Sequence, residues 1–172
     1  MGRGSTGYDT VLVLHILAVI VGFGTVMLNG LRGAEAKKRP GPGGLAIGES
    51  NFKVGNVAEK FIYAVPVLGI GLVFMSDGNW TFGQTWVWLS TLLYVIGIGL
   101  SHALMIPSEK RMNVLAAELV AAGPPPAGAA AGGPPPQVAE MEGLEKRMAA
   151  VGGILNLLVV VVVVLMVFKP GV

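Results

Sequence analysis

The apolar positions of this chain fall into four long blocks and do not alternate. Residues 10–31 carry no charge between Asp9 and Arg32, residues 61–76 none between Lys60 and Asp77, residues 78–108 none between Asp77 and Glu109, and residues 148–168 none between Arg147 and Lys169. A bilayer core about 30 Å thick calls for about 20 apolar residues in a helix. Each block therefore predicts one transmembrane helix, with spans at 10–31, 57–76, 84–106 and 148–168. The third block also has room for a short loop. The second is short, but Val57 and Ala58 lengthen it while Glu59 and Lys60 snorkel to the interface. The expected fold is all-α: a single membrane domain over 1–172, built as a four-transmembrane-helix bundle.

The stretches between the blocks are of two kinds. Arg-Pro-Gly-Pro-Gly-Gly at 39–44 predicts a break that will not hold a helix. Residues 123–136 form a Pro/Gly/Ala-rich linker, expected to act as a tether with polyproline character. On either side of that linker the apolar spacing turns helical again. Ser108 is placed to cap a helix to about Ala122, with Met112, Leu115 and Leu119 on one face. Val138, Met141, Leu144 and Met148 repeat opposite Glu140, Lys146 and Arg147. These two stretches are expected to carry spans three and four into the cytoplasm as a helical hairpin.

Composition narrows the function classes. Hydrophobic residues make up 53% and charged residues 13%, against about 25% charged in a typical soluble domain. That balance argues against an ordinary soluble enzyme, a disordered protein and a nucleic-acid binder. With 0 cysteines, thiol, disulfide and iron–sulfur chemistry are excluded. Of the 12 Lys and Arg residues, all but Arg3 and Lys169 lie between spans one and two or between spans three and four. The positive-inside rule then places both long loops in the cytoplasm of a cell (inner or plasma) membrane and both termini outside. Tyr8, Trp80, Phe82, Trp86, Trp88 and Phe168 are expected to form the outer aromatic belt.

Candidate chemistry comes from the few polar groups inside the spans. No Asp, Glu, Lys or Arg lies in the central part of any span, which argues against an ion pump, a carboxylate proton relay or a voltage sensor. His15, His102, Asn29, Asn156 and Tyr63 remain. By their positions in antiparallel spans the two imidazoles differ by roughly 15 Å in depth, too far to share one metal. Each reads first as a neutral ring hydrogen-bonded between helices, His15 toward Ser90 or Thr91 and His102 toward Asn156 or Tyr63. His15 alone is kept as a cofactor-binding candidate, with haem b or copper as the group it would hold, though that is not the favoured reading. Gly22, Gly24, Gly69, Gly71, Gly97 and Gly99 fall near the midplane and are expected to let helix backbones pack closely. Pro66 removes the donor that would meet the Ile62 carbonyl and should kink span two.

LHILAVIVGFGT in span one, DGNWTFGQTWVWLS before span three, MIPSEKRMNVLA after it and VFKPG at the end resemble a family of bacterial integral membrane proteins, the domain of unknown function 2269 family. The resemblance covers most of the chain outside the Pro-rich linker and implies a four-helix membrane bundle with no assigned activity. LHILAVIVGFG is also distantly similar to the first helix of the copper resistance protein D group and of membrane protoporphyrinogen oxidases. Those groups associate a histidine at this point with cofactor or metal handling, a role the resemblance assigns to His15. Val21-Gly22-Phe23-Gly24 stand here where those groups carry a tryptophan-containing segment. Two functions follow as expectations. The first is a non-catalytic bundle acting by association with itself or with a membrane complex. The alternative is a haem- or copper-handling membrane protein using His15.

Overall fold

A computed structural model of the chain describes residues 2–39, 41–123 and 135–172. Its elements are α1 (Thr6–Lys38), α2 (Pro42–Phe74), α3 (Thr85–Leu100), a π-helical segment (Ser101–Met105), α4 (Ile106–Ala122) and α5 (Pro136–Phe168). No strand occurs among the described residues. Four helical stretches, Thr6–Lys38, Pro42–Phe74, Thr85–Ala122 and Pro136–Phe168, are long and apolar enough to cross a membrane. The all-α four-helix architecture expected from the charge-free blocks is the observed one. The physical reason is that lipid offers no partner to an exposed amide, so an apolar segment must satisfy its backbone within itself.

The helices overrun the predicted spans. The stretch between spans one and two, expected as a long loop, is largely helical, because α1 continues to Lys38 and α2 starts at Pro42; among the described residues only Arg39 and Gly41 stand outside them. Pro42 takes the first helical position, where its missing N–H costs nothing. Gly41 adopts φ 82°, a left-handed turn that a Cβ would strain. At Gly44 a Cβ would fall against the carbonyl oxygens of Arg39 and, at 2.7 Å, of Ala36. Glycine there lets the first turn of α2 fold back onto the end of α1. The reading of 39–44 as a break is thus corrected to its first half.

Pro107 explains the other irregularity. It cannot donate to the Ala103 carbonyl, and just before it the chain widens to π geometry, with the Ile106 N–H reaching the Ser101 carbonyl. The helix resumes as α4 without a side-chain cap. Ser108 is therefore not a cap: it is 3% exposed and lies within α4. The helix does end at Ala122, with Gly123 at φ 73°. The polyproline expectation for the linker falls on residues 124–134, outside the described residues.

The chain divides into two compact units. One comprises Met1–Met27, Val54–Ile98 and Asn156–Val172, the other Leu28–Lys53 and Gly99–Leu155. The first unit has a core of Tyr8, Leu72, Trp80, Trp86, Val87 and Leu165. In the second, Leu115 is fully buried. There α4 and α5 are joined by Arg111, whose Nε and Nη2 donate to the two Glu140 carboxylate oxygens at 2.7 and 2.9 Å.

Candidate functional site

In the first unit, the face of α1 that carries Tyr8, His15, Ala18 and Gly22 is buried. Gly22 meets α2 closely: a Cβ there would stand 2.8 Å from Ile62 Cγ1 and 3.1 Å from the Ile62 amide nitrogen. Two turns earlier, His15 Nδ1 donates to the Val65 carbonyl at 3.0 Å. A carbonyl only accepts, so Nδ1 carries the proton and Nε2 holds the lone pair. Gly69 makes room for the ring, since a Cβ on it would sit 3.3 Å from His15 Cε1.

The anticipated partners of His15 lie elsewhere. Thr91 Oγ1 donates to the Val87 carbonyl at 2.8 Å, and the buried Ser90 Oγ has no hydrogen-bond partner among the described residues. The imidazole does bridge two helices, but it meets the backbone of α2 and not a hydroxyl of α3. Pro66 explains what the neighbouring carbonyl does. The Ile62 oxygen, deprived of its usual donor, accepts from Tyr94 Oη of α3 at 3.2 Å. One proline thus creates the acceptor that joins α2 to α3.

The six glycines separate into different roles. Gly22 and Gly69 sit at close helix contacts, whereas a Cβ on Gly24, Gly71 or Gly99 would meet nothing within 4 Å. At those three a Cβ would stand in open space; apolar spacing alone does not say which side of a helix its neighbour occupies. Gly97 is half-buried. Tyr63 Oη donates to Glu59 Oε1 at 2.5 Å, one turn away on its own helix. Asn156 Oδ1 in the first unit and Asn29 Oδ1 in the second are buried without a hydrogen-bond partner among the described residues. His102 falls in the second unit, exposed within the π-helical segment, and His15 in the first.

The second unit concentrates its charges. Lys37 Nζ donates to Glu145 at 2.6 Å, which raises the Lys37 pKa, and the paired Arg111 guanidinium holds Glu140 below its ordinary value. Asn51 Nδ2 donates to Glu109 Oε1 at 3.0 Å. Burial nevertheless raises the Glu109 carboxyl, an effect the Asn51 bond only partly offsets.

In the first unit a cleft lies where the start of α1 meets the end of α5. Its volume is about 430 Å³, and Arg3, Tyr8, Asp9, Leu12, Trp80 and Lys169 are among the residues lining it. The loop 75–84 builds its floor. Ser76 Oγ accepts the Trp80 N–H at 2.9 Å and donates to the Val73 carbonyl at 2.8 Å. Trp80 Nε1 donates to Tyr8 Oη at 3.0 Å, and its ring meets that of Trp86 edge-on at 5.3 Å. The expected aromatic belt therefore splits: Tyr8, Trp80 and Trp86 are 7 to 8% exposed, while Phe82, Trp88 and Phe168 remain exposed. Sequence reasoning treated Arg3 and Lys169 as span flanks only. The available signal was their position, the only two cations outside the long inter-span segments.

His15 gives a fit test for haem or copper. The ring offers one nitrogen, Nε2, but among the described residues no three His, Cys, Asp or Glu side chains gather as a metal-binding group. One edge of the ring is spent on Val65 and pressed against Gly69. His15 Nε2 therefore stands as a donor with no three-residue His, Cys, Asp or Glu group around it among the described residues. Comparison with protein families, with curated proteins and with solved structures finds no match for this chain.

Proposed function

We propose that this multi-pass membrane protein is a non-catalytic helical bundle that acts by association, with a second copy of itself or with a partner complex in the bilayer. The observation that carries this reading is how little the chain covers of its own apolar helices: between 6% and 22% of the most apolar stretch of each is buried within it. On those faces Gly24, Gly71 and Gly99 present open backbone. In lipid no hydrophobic force joins helices, and close backbone approach at small residues is what does. The distribution of Lys and Arg supports cytoplasmic inter-span segments, termini outside and a cell-membrane location; a C-terminal reporter should be active outside the cytoplasm.

The test is the oligomeric state in lipid nanodiscs and mild detergent, for the natural chain and for Gly71→Leu. Association is expected for the natural chain. The substitution should shift it to monomer without lowering the thermal midpoint, since a Cβ at this position stands in open space within the chain. A chain that is monomeric and brings down no partner after cross-linking in membranes refutes the reading.

The alternative, haem or copper on His15, has one feature in its favour. A backbone carbonyl that fixes the Nδ1–H tautomer leaves Nε2 able to ligate, as the outer partners of metal-bound histidines commonly do. Against copper stands the lack of a three-residue His, Cys, Asp or Glu group among the described residues. Visible spectra and metal analysis of the purified protein decide: a stoichiometric Soret band or bound copper, lost in His15→Ala, establishes this reading in place of the first.

A further inference from the structure

The cleft lined by Trp80 holds two cations on one indole. The Arg3 guanidinium carbon lies 4.8 Å from the Trp80 ring centroid, and Lys169 Nζ lies 4.5 Å from it and 5.8 Å from that of Trp86. Among the described residues neither cation stands in an ion pair with a carboxylate, unlike Lys37, Lys38, Arg39 and Arg111. An aromatic face attracts a cation only weakly at an exposed site and does not cancel its charge. Two like charges gathered on one ring repel each other, and an anion between or beside them relieves that repulsion.

The backbone is shaped to hold them there. Lys169 adopts φ 46°, a left-handed conformation unfavourable for a residue with a side chain. Its N–H caps α5 on the Leu165 carbonyl at 2.9 Å. The residues after it are seated against the start of α3, where a Cβ on Gly171 would stand 3.1 Å from Thr85 Oγ1. Glycine would make the same turn without strain, yet this position carries a lysine. Arg3 sits in a turn closed by the Ser5 N–H on the Gly2 carbonyl at 3.1 Å, with Gly4 at φ 86°. The same turn delivers the N-terminus of the 33-residue helix α1, the positive end of its dipole, to the cleft.

The geometry points to a binding site for a phosphate-bearing anion, with Arg3 and Lys169 as the anion-binding residues and Trp80 as the platform that holds them. A volume of about 430 Å³ suits a head group better than a bare ion. Leu12 and Trp80 give it an apolar wall, and Tyr8 adds a hydroxyl. Asp9 also lines the cleft, and Asp77 lies beside Gly2. The Asp9 carboxylate disfavours a multiply charged anion and so favours a phosphodiester. Arg3 and Lys169 flank spans one and four, at the depth of a lipid phosphate. The shared chemistry is the phosphate group, and its two sources are an anionic phospholipid and a soluble phosphate.

The test titrates detergent-solubilised full chain with short-chain phosphatidylglycerol, short-chain phosphatidylcholine and inorganic phosphate, reading tryptophan fluorescence and bound ligand by native mass spectrometry. Phosphatidylglycerol should bind more tightly than phosphatidylcholine. Arg3→Gln and Lys169→Gln should each weaken it about tenfold, the scale of one charge-assisted contact. Lys169→Gly separates this role from a structural one: it relieves the left-handed strain, so the thermal midpoint should hold or rise while affinity falls as in Lys169→Gln. If inorganic phosphate binds with the same dependence on Arg3 and Lys169, the site stands and its ligand is soluble. Equal binding of both lipids, or binding indifferent to Arg3 and Lys169, overturns the proposal.

Discussion

Each of the two units is held together internally by a different kind of bond. In the first unit the bonds between distant segments are neutral and end on backbone or on another uncharged group: His15 on the Val65 carbonyl, Tyr94 on the Ile62 carbonyl, Trp80 of the loop 75–84 on the Tyr8 hydroxyl. In the second they run through carboxylates: Lys37 to Glu145, Arg111 to Glu140, Asn51 to Glu109. The contrast teaches where water reaches. An ion pair in the bilayer interior carries a desolvation cost that an imidazole or a phenol does not. At the surface the same pair is tolerated, contributes little and is screened by salt. The first unit should therefore respond to changes of volume, and the second to pH and ionic strength.

The largest expected effect tests packing in the first unit. Gly22→Leu places a side chain where even a Cβ would stand 2.8 Å from Ile62 Cγ1 and 3.1 Å from backbone nitrogen. Overpacking of this kind costs about 1–3 kcal/mol, to be read by equilibrium unfolding in mixed micelles. A loss no greater than that of Gly24→Leu, where the space is open, would break the distinction between the two glycines.

Tyr94→Phe comes next. It leaves the Ile62 carbonyl without the donor that Pro66 cannot supply. Bonds of this kind within membranes average about 0.6 kcal/mol in measured cycles, and the loss should not change with salt. In Pro66→Ala the helix supplies its own donor, so adding Tyr94→Phe should cost less there.

A smaller, pH-dependent effect belongs to the second unit. Burial raises the folded-state pKa of Glu109 above the ordinary 4.5. The folded chain then holds that proton more tightly than the unfolded chain. The resulting stability is fully present below pH 4.5 and is lost as pH rises through the folded value. Relative to Glu109→Gln, which keeps the shape without the charge, the natural chain should lose stability between pH 4.5 and neutrality. Comparing the two unfolding curves across that range checks the sign. Glu140, with its pKa lowered by Arg111, works the opposite way: its contribution is present above pH 4.5 and lost as pH falls. Since Glu140→Gln alters only a surface pair, its effect should be the smallest and vanish in high salt.

The charge-free blocks made the architecture legible without any structure. A segment with no charges and about the length of a bilayer has one way to satisfy its backbone, and that is a helix. The same logic exposed the Ile62 carbonyl, because a proline states in one letter which acceptor loses its donor. It did not reveal that Tyr94 would meet that carbonyl or that His15 would choose Val65 over a hydroxyl. Nor did it show that Gly22 and Gly69 would touch a neighbour while Gly24 and Gly71 would not. Those outcomes depend on how each helix is rotated about its axis, and a stripe of Val, Leu and Gly leaves rotation undetermined when lipid and core are equally apolar. The Arg3–Trp80–Lys169 cleft lay further out of reach. Its parts come from an N-terminal turn, a loop and the end of α5, and only folding brings charges so far apart in the chain onto one ring. What the sequence determined by itself is a set of helices long and apolar enough to cross a membrane; tertiary structure alone decided which polar groups those helices bring together.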